Sequence, residues 1–387
     1  MIPLIRNIFR DERGTRRRLA NWLNEGHRLT MGDQCREFER VFAAWHGEPN
    51  AVLFNSGASA NLAIIQTLLN TGMLREGDRV AVSGLTWATN VMPLIQLGLQ
   101  PVPVDIKLNT LNMSIKRVKA VDVQCIFVTH ALGLCTDMIE LEQHCINNDI
   151  ILIEDNCESL GTSVKTGQSS GLLGTWGAMS SCSFYAAHHM STIEGGMVLT
   201  DVPEYAQMLK MVRANGWDRA LDNEQKKIMR AEHGVDDFSA AYTFYFPGYN
   251  LRPTEITGFL GCDQIKSLRD TVKKREDNFL DFMFAYEQND DFIHFDFSHI
   301  DIISSFCLPV VCKTKELRDK YLVRFNEIAE TRPIIGGNIT RQPFYERYTT
   351  RIPTLSSTEH ISECGFYIGN HPDLTVSEMN MIKGLLK

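Results

Sequence analysis

The sequence predicts an α/β protein, with a mostly parallel central sheet flanked by helices and a smaller C-terminal α+β domain. Short apolar runs alternate with amphipathic segments over the first two-thirds of the chain, as in folds built on a parallel sheet. Polar residues directly follow several of these runs, where open α/β sheets bind ligands. Because 387 residues exceed one ordinary core, we expect a large domain over 1–255 and a long helix with a small domain over 256–387.

Strands and helices are predicted in turn along the chain. The predicted strands of the large domain are 51–54, 79–83, 101–104, 125–129, 150–154, 180–184 and 197–200. The predicted helices are 59–69, 90–97, 138–147 and 203–214, after an N-terminal helix whose solvated face carries Arg16, Arg17 and Arg18. The polar stretch 221–244 is interpreted as an insertion or mobile loop. A long helix is expected over 254–287, then a strand region at 302–311 and helices from Lys315 and Ser377.

The composition of the chain indicates which kinds of binding partner to expect. The net charge of −8 argues against bulk attraction to nucleic acid. No apolar run has the length of a membrane span, and the start lacks the pattern of a secretion signal. We expect a cytoplasmic protein that binds neither nucleic acid nor membrane. Its ten scattered cysteines are then reduced thiols, without the spacing of iron–sulfur ligands.

A turn rich in small residues follows the first predicted strand and opens a helix. Gly57 and Ala58 in this turn let the backbone approach an anion, and a helix N-terminus offers N–H donors. The turn is compatible with a phosphate site, and equally with an ordinary capped helix start.

Two acidic residues and a tryptophan also lie just beyond strands. Asp155 ends an apolar run, and a carboxylate there can pair with a protonated pyridine nitrogen or simply cap a helix. Glu158 is placed to orient a histidine, or belongs to the same cap. Trp87 offers a plane for a flat heteroaromatic ring, or is a core residue. The adjacent His188 and His189 have no matched acid cluster, so no metal site is expected.

Taken in order, these motifs resemble the DegT/DnrJ/EryC1/StrS sugar aminotransferases, a family of fold-type I pyridoxal-phosphate enzymes. The residues that carry the resemblance are Asn55-Ser56-Gly57, Ile153-Glu154-Asp155, Ser183-Phe184, Glu194-Gly195-Gly196 and the segment 248–255. Within the family, Asp155 to Ser159 and Gly369-Asn370-His371 are similar to the vitamin-B6-dependent sugar 3-dehydratases.

The resemblance implies a role for each candidate residue. Gly57, Ala58 and Ser183 would hold the cofactor phosphate, Trp87 would stack on the pyridine ring and Asp155 would pair with its nitrogen. Asn250 would reach the phosphate of the partner subunit, which makes a homodimer the functional unit. His188 stands where these enzymes usually have a lysine. An imidazole cannot anchor the cofactor covalently but can move protons, so His188 would be the catalytic base, with Glu158 beside it.

The implied reaction removes the C3 hydroxyl of a nucleotide-linked 4-keto-6-deoxysugar, with a GDP-sugar favoured, and gives a 4-keto-3,6-dideoxysugar. Pyridoxamine 5'-phosphate (PMP) would be the reacting form, and hydrolysis after the dehydration would release ammonia and leave pyridoxal 5'-phosphate (PLP). L-Glutamate would then regenerate PMP from PLP and leave 2-oxoglutarate. Two alternatives stay open: a nucleotide-sugar 4-aminotransferase that tolerates the histidine, and a catalytically inactive binding subunit with an aminotransferase fold.

Overall fold

The computed structural model describes residues 1–349 and 352–387. In chain order its strands are β1 Asn50–Phe54, β2 Arg79–Ser83, β3 Gln100–Val104, β4 Cys125–Thr129, β5 Ile151–Asp155, β6 Ser163–Thr166, β7 Ser169–Leu172, β8 Met179–Ser183, β9 Gly196–Thr200, β10 Ile300–Ile302, β11 Cys307–Val311, β12 Thr331–Arg332 and β13 Gly365–Gly369. Each of the seven predicted strands of the large domain is present, with ends that differ by at most one residue.

Seven of these strands form the central sheet, in the order β1-β9-β8-β5-β4-β2-β3. Strands β3, β2, β4, β5 and β8 run parallel to one another, whereas β9 is antiparallel to both β8 and β1. The predicted mostly parallel sheet is therefore confirmed. Parallel strands end at one common edge, so the residues that follow β2, β4, β5 and β8 are brought together.

Helices cover the sheet and continue into the C-terminal part. They are α1 Glu12–Asn24, α2 Asp33–His46, α3 Gly57–Asn70, α4 Met92–Gln96, α5 Ile115–Val118, α6 Met138–Asn147, α7 Pro203–Val212, α8 Asn223–His233, α9 Glu255–Gln264, α10 Leu268–Tyr286, α11 Lys315–Asn326, α12 Pro343–Tyr348, α13 Ser356–Cys364 and α14 Val376–Gly384. The stretch 221–244 was interpreted as an insertion or mobile loop. The interpretation as a loop was wrong for 223–233, which form α8, and the interpretation as an insertion stays a prediction. The predicted long helix is two helices, separated by a 3-10 turn at Ile265–Ser267.

Alternating side chains explain why the sheet is buried on both faces. In β4, Cys125 and Phe127 pack with α3 and α7, whereas Ile126 and Val128 pack with α6, α10 and the C-terminal residues. A parallel strand covered on both sides needs apolar residues at every position, which is what 125–129 supplies.

Two small sheets complete the fold. Strands β11, β13 and β12 form an antiparallel sheet beyond residue 256, with α10, α11 and α13 around it. Strand β10 pairs with β6 and so joins the C-terminal residues to the large domain. The division at 255/256 stays a prediction.

The structure also shows the state of the cysteines and the character of the helices. All ten cysteines are free thiols, eight of them buried. Across 1–349 and 352–387 there is no helix of the length and apolarity that a membrane crossing requires.

Candidate active site

A cavity of about 400 Å³ opens at the carboxyl edge of the central sheet. Seven of the eight predicted site residues line it: Gly57, Ala58, Trp87, Asp155, Glu158, Ser183 and His188. The chain ends of β5 and β8 and the start of α3 position most of them. The eighth residue, Asn250, lies elsewhere on the surface. None of the residues that line the cavity is a lysine.

The start of α3 packs against the end of β8 with no room for a side chain. Ser56 is the N-cap and accepts a hydrogen bond from the Ser59 N–H at 3.1 Å. A Cβ at Gly57 would lie 2.6 Å from Ser183 Cβ, and a Cβ at Gly196 would lie 2.2 Å from the Ser56 carbonyl oxygen. Glycine is therefore required at both positions. The resulting cradle of free first-turn N–H groups beside the Ser183 hydroxyl has the donor set that a phosphate needs.

Asp155 is held as a buried hydrogen-bond acceptor. It is 5% exposed. Its Oδ2 accepts from Asn61 Nδ2 at 3.2 Å and from Asn90 Nδ2 at 2.8 Å, and its Oδ1 accepts from the Cys157 N–H at 2.9 Å. All three contacts are from N–H donors, which fix the orientation of the carboxylate. A negative group fixed in this way at the cavity wall is the partner that a protonated pyridine nitrogen requires.

Sequence reasoning missed both asparagines. Asn61 lies inside the apolar helix α3, and Asn90 lies in the short turn before α4. The only signal was their polarity within segments that otherwise bury apolar side chains, because a buried amide needs a partner.

Trp87 and three other aromatic residues, Tyr185, Phe306 and Tyr367, line the cavity. Trp87 is 55% exposed, so its ring is not a core residue. Phe306 immediately precedes β11, and Tyr367 lies in β13. The C-terminal residues thus contribute walls that the sequence did not predict.

His188 faces the cavity as a neutral imidazole. Its Nδ1 lies 3.3 Å from the Ser183 carbonyl oxygen, and its ring meets Tyr185 and Phe306 edge to face. A carbonyl oxygen only accepts, so Nδ1 carries the proton and Nε2 is left as a proton acceptor. Burial lowers the pKa of His188 to about 4, which keeps the imidazole neutral at pH 7.

Glu158 lies in the same cavity and, unlike His188, holds its titratable proton. Burial raises its pKa to about 8, although the Leu132 N–H donates to Oε2 at 3.0 Å. The carboxyl group therefore carries a proton at neutral pH. Within residues 1–349 and 352–387, no hydrogen bond joins Glu158 to His188.

The neighbouring Glu154 is structural. Its carboxylate is fully buried and contacts His130 Nε2 at 2.8 Å. It also accepts from the N–H groups of Gly174, Trp176 and Gly177. It fixes the turn that leads into β8, and with it the position of Ser183.

Asn250 is exposed and lies outside the cavity. Its Oδ1 accepts from Arg252 Nε at 3.0 Å, and its backbone forms a bridge with Ala214. A single chain therefore does not bring Asn250 to the other predicted residues.

The residues present fit pyridoxal phosphate. The glycine cradle supplies phosphate donors, Asp155 supplies a buried acceptor and the exposed Trp87 ring supplies a face. Metal binding has no comparable support. The described part of the chain holds no group of three or more His, Cys, Asp or Glu side chains arranged for an ion.

Known proteins with similar sequences include sugar 3-dehydratases. GDP-4-keto-6-deoxy-D-mannose 3-dehydratase of Escherichia coli O55:H7 is 31% identical over 375 residues, which cover 93% of each chain. The dTDP-4-dehydro-2,6-dideoxy-D-glucose 3-dehydratase of Saccharopolyspora spinosa is 30% identical over 370 residues, covering 90% of this chain and 78% of the relative.

Solved structures similar to this chain also include those of a sugar 3-dehydratase. A histidine-to-asparagine variant of GDP-4-keto-6-deoxymannose-3-dehydratase with bound GDP-perosamine superposes with a TM-score of 0.89 at 29% identity, over 100% of both chains. The same enzyme with a trapped PLP-glutamate geminal diamine gives the same score, identity and coverage. The profile of the DegT/DnrJ/EryC1/StrS aminotransferase family matches residues 10–386. The chain therefore belongs to the DegT/DnrJ/EryC1/StrS aminotransferase family, with its fold-type I architecture.

Proposed function

We propose that this chain is a PMP-dependent 3-dehydratase of a nucleotide-linked 4-keto-6-deoxysugar and produces a 4-keto-3,6-dideoxysugar. The observation that carries the proposal is a neutral histidine in a cofactor-shaped cavity that no lysine lines. A lysine would displace the amino product and complete amino transfer, whereas an imidazole has no such reaction.

Most residues of the cavity would bind and orient the cofactor. Gly57, Ala58 and Ser183 would hold its phosphate, Asp155 its ring nitrogen and Trp87 its face. When bound, the cofactor supplies an amine for the C4 ketone and an electron-withdrawing ring that permits loss of the C3 hydroxyl.

The protein's own acid–base groups would move the protons. His188 Nε2 would accept a proton from the cofactor methylene carbon, because Nδ1 is committed to the Ser183 carbonyl. The departing hydroxyl needs a proton, which His188 can return. Glu158 holds a second proton in the same cavity at neutral pH.

L-Glutamate would restore the cofactor amine. The overall reaction then balances as keto sugar plus glutamate giving deoxysugar, 2-oxoglutarate and ammonia in equal amounts. A GDP-sugar is favoured as substrate, because one similar structure holds GDP-perosamine and a similar relative is named for a GDP-sugar. The free thiols favour a reducing compartment, the cytoplasm, for this reaction.

The functional unit would be a homodimer in which Asn250 completes the partner's site. In support, large aromatic side chains near Asn250 in the sequence are exposed: Phe238 by 90%, Tyr242 by 74% and Phe244 by 56%, with Phe244 stacked on Trp217. A patch of this kind marks a surface that another protein covers. We take that protein to be a second copy of this chain, because Asn250 lies outside the cavity of its own chain and could complete the cavity of a partner.

Hybrid dimers test the shared site. The variants His188→Asn and Asn250→Ala are each expected to be inactive or weak. A hybrid of the two contains one site with both native residues, so mixing should restore about a quarter of wild-type activity after random exchange. No recovery in hybrids shown by native mass spectrometry to have formed would contradict the shared site.

The reaction itself is tested with purified protein, PLP, L-glutamate and a panel of GDP-, CDP- and dTDP-linked 4-keto-6-deoxysugars. NMR of the products should show a methylene at C3 for the GDP-sugar. An amino group at C4 with C3 oxygen retained would favour the 4-aminotransferase. Absence of PLP binding would favour the inactive binding subunit.

A further inference from the structure

Arg275 lies behind His188, on α10, with no role in the site so far described. Its side chain is buried, with 5% of the residue exposed. One guanidinium nitrogen, Nη2, donates to the His188 carbonyl oxygen at 3.1 Å. The other two, Nε and Nη1, are buried without a hydrogen-bond partner in 1–349 and 352–387.

This buried cation lacks an acidic partner. No carboxylate forms an ion pair with Arg275 within the part of the chain that the structure describes, and burial lowers its pKa to about 10. A buried charge without a counter-ion costs stability. Replacing it with an apolar residue of similar size would remove that cost, so folding alone gives no reason for an arginine here.

Hydrogen bonds also connect the main chain at Arg275 to C-terminal residues near the site. Asn370, at the end of β13, donates to the Arg275 carbonyl oxygen at 2.8 Å and to the Ser305 carbonyl oxygen at 2.9 Å. His189 contacts the Ser304 carbonyl oxygen at 2.9 Å. Asn370, from the Gly369-Asn370-His371 motif, and His189 thus hold the segments on either side of Arg275 and the His188 turn.

We propose that Arg275 is a positioning residue for His188: its hydrogen bond fixes the main chain of the turn, and its unpaired charge adds to the effect of burial in keeping the imidazole a proton acceptor. The proposal rests on the assignment of His188 as the base. Like charges disfavour one another, so a fixed guanidinium opposes the imidazolium form.

Some of the groups near His188 favour its protonated imidazolium form, and others oppose it. Burial opposes the imidazolium most and Arg275 adds to that effect, whereas the Ser183 carbonyl and Asp155 favour the imidazolium. The remaining titratable groups around the site cavity are Glu158, Cys157, Tyr185, Glu194 and Tyr367, with His189 next in the chain. Arg10 and His371 line a second, small cavity together with His188 and Arg275. Arg10 is paired with Asp270 and Asp373, so removal of Arg275 removes the cation of this group that has no carboxylate partner among the described residues.

The test measures the pKa of His188 directly, from the pH dependence of deuterium exchange at the imidazole C2 position, with fragmentation to separate it from His189. Wild-type protein without substrate should give a pKa well below the usual value of about 6.5. Arg275→Met should raise it by on the order of half a pH unit or more. Arg275→Lys keeps the charge and should leave it near wild type. Arg269→Met, an exposed arginine on the same helix, is the matched control.

Kinetics give the second readout. In Arg275→Met, kcat should fall about 10- to 100-fold because the turn is no longer fixed, with little change in the KM for glutamate. The acid limb of kcat/KM should move to higher pH.

The proposal is overturned if the pKa of His188 is the same in Arg275→Met as in the wild type, or if the wild-type value is about 6.5 or above. Arg275→Gln is the second neutral variant, should the methionine protein not fold. The exchange measurement needs no turnover. A sugar that keeps its C3 oxygen would therefore remove the proposed function and leave the coupling between Arg275 and His188 intact.

Discussion

The contact between α3 and β8 makes Gly57→Ala the sharpest probe of the phosphate cradle. The new methyl group would stand 2.6 Å from Ser183 Cβ and 3.0 Å from Ser183 Oγ. Carbon atoms in proteins pack at about 3.5–4.0 Å, so the overlap is about 1 Å. Ser183 is buried at the end of a central strand and has little room to move.

Overpacking of this kind costs about 1–3 kcal/mol. The helix start and the strand end must separate, and both are proposed to contact the cofactor phosphate. If the full cost appears in binding, the Kd for PLP rises by about 5- to 150-fold.

Equilibrium dialysis or an absorbance titration measures the Kd, and a thermal melt without cofactor measures stability. Gly384→Ala is the matched control. Gly384 is the last residue of α14, and an added Cβ there meets nothing within 4 Å. The control should bind PLP as the wild type does. Wild-type affinity and melting temperature in Gly57→Ala would refute the close-packed cradle.

Three further predictions concern the acid–base groups and the ring nitrogen. Since His188 is neutral above its pKa of about 4 and Glu158 protonated below its pKa of about 8, kcat/KM should fall towards lower and higher pH outside these values. Glu158→Gln should remove the high-pH fall, and its persistence would exclude Glu158 as the titrating group. His188→Lys should bind PLP so that borohydride treatment adds a covalent pyridoxyl mass at position 188, which the wild type should lack. Asn90→Ala removes the 2.8 Å donor to Asp155 and should lower kcat about tenfold with little loss of PLP affinity; unchanged kcat would show that Asn61 and Cys157 suffice.

The local sequence pattern was sufficient to predict most of the sheet, but it was not sufficient to predict α8. Its sequence, residues 223–233, has only Ile228 and Met229 as large apolar residues, so it lacks the stripe that marks an amphipathic helix. A capping box between Asp222 and Gln225 and an ion pair from Arg230 to Asp218 stabilise it instead. The capping box was visible in the sequence and indicated a helix start.

Gly57, Ala58, Trp87, Asp155 and Glu158 were found because each follows a strand or opens a helix. The roles of Ser183, His188 and Asn250 came from the resemblance to the aminotransferase family. Asn61, Asn90 and Arg275 were missed for the opposite reason. They lie within helices or turns far along the chain from Asp155 and His188, and only the folded arrangement brings them into contact. Their roles depend on partners that no local sequence pattern specifies.

The stoichiometry of ammonia tests the central claim most directly. Wild-type protein with PLP, L-glutamate and GDP-4-keto-6-deoxymannose should form ammonia, 2-oxoglutarate and 3-deoxysugar in a ratio of about one to one to one, as the balance of the dehydration requires. Formation of 2-oxoglutarate with no ammonia, and with the sugar aminated at C4, would contradict the dehydratase account and leave an aminotransferase.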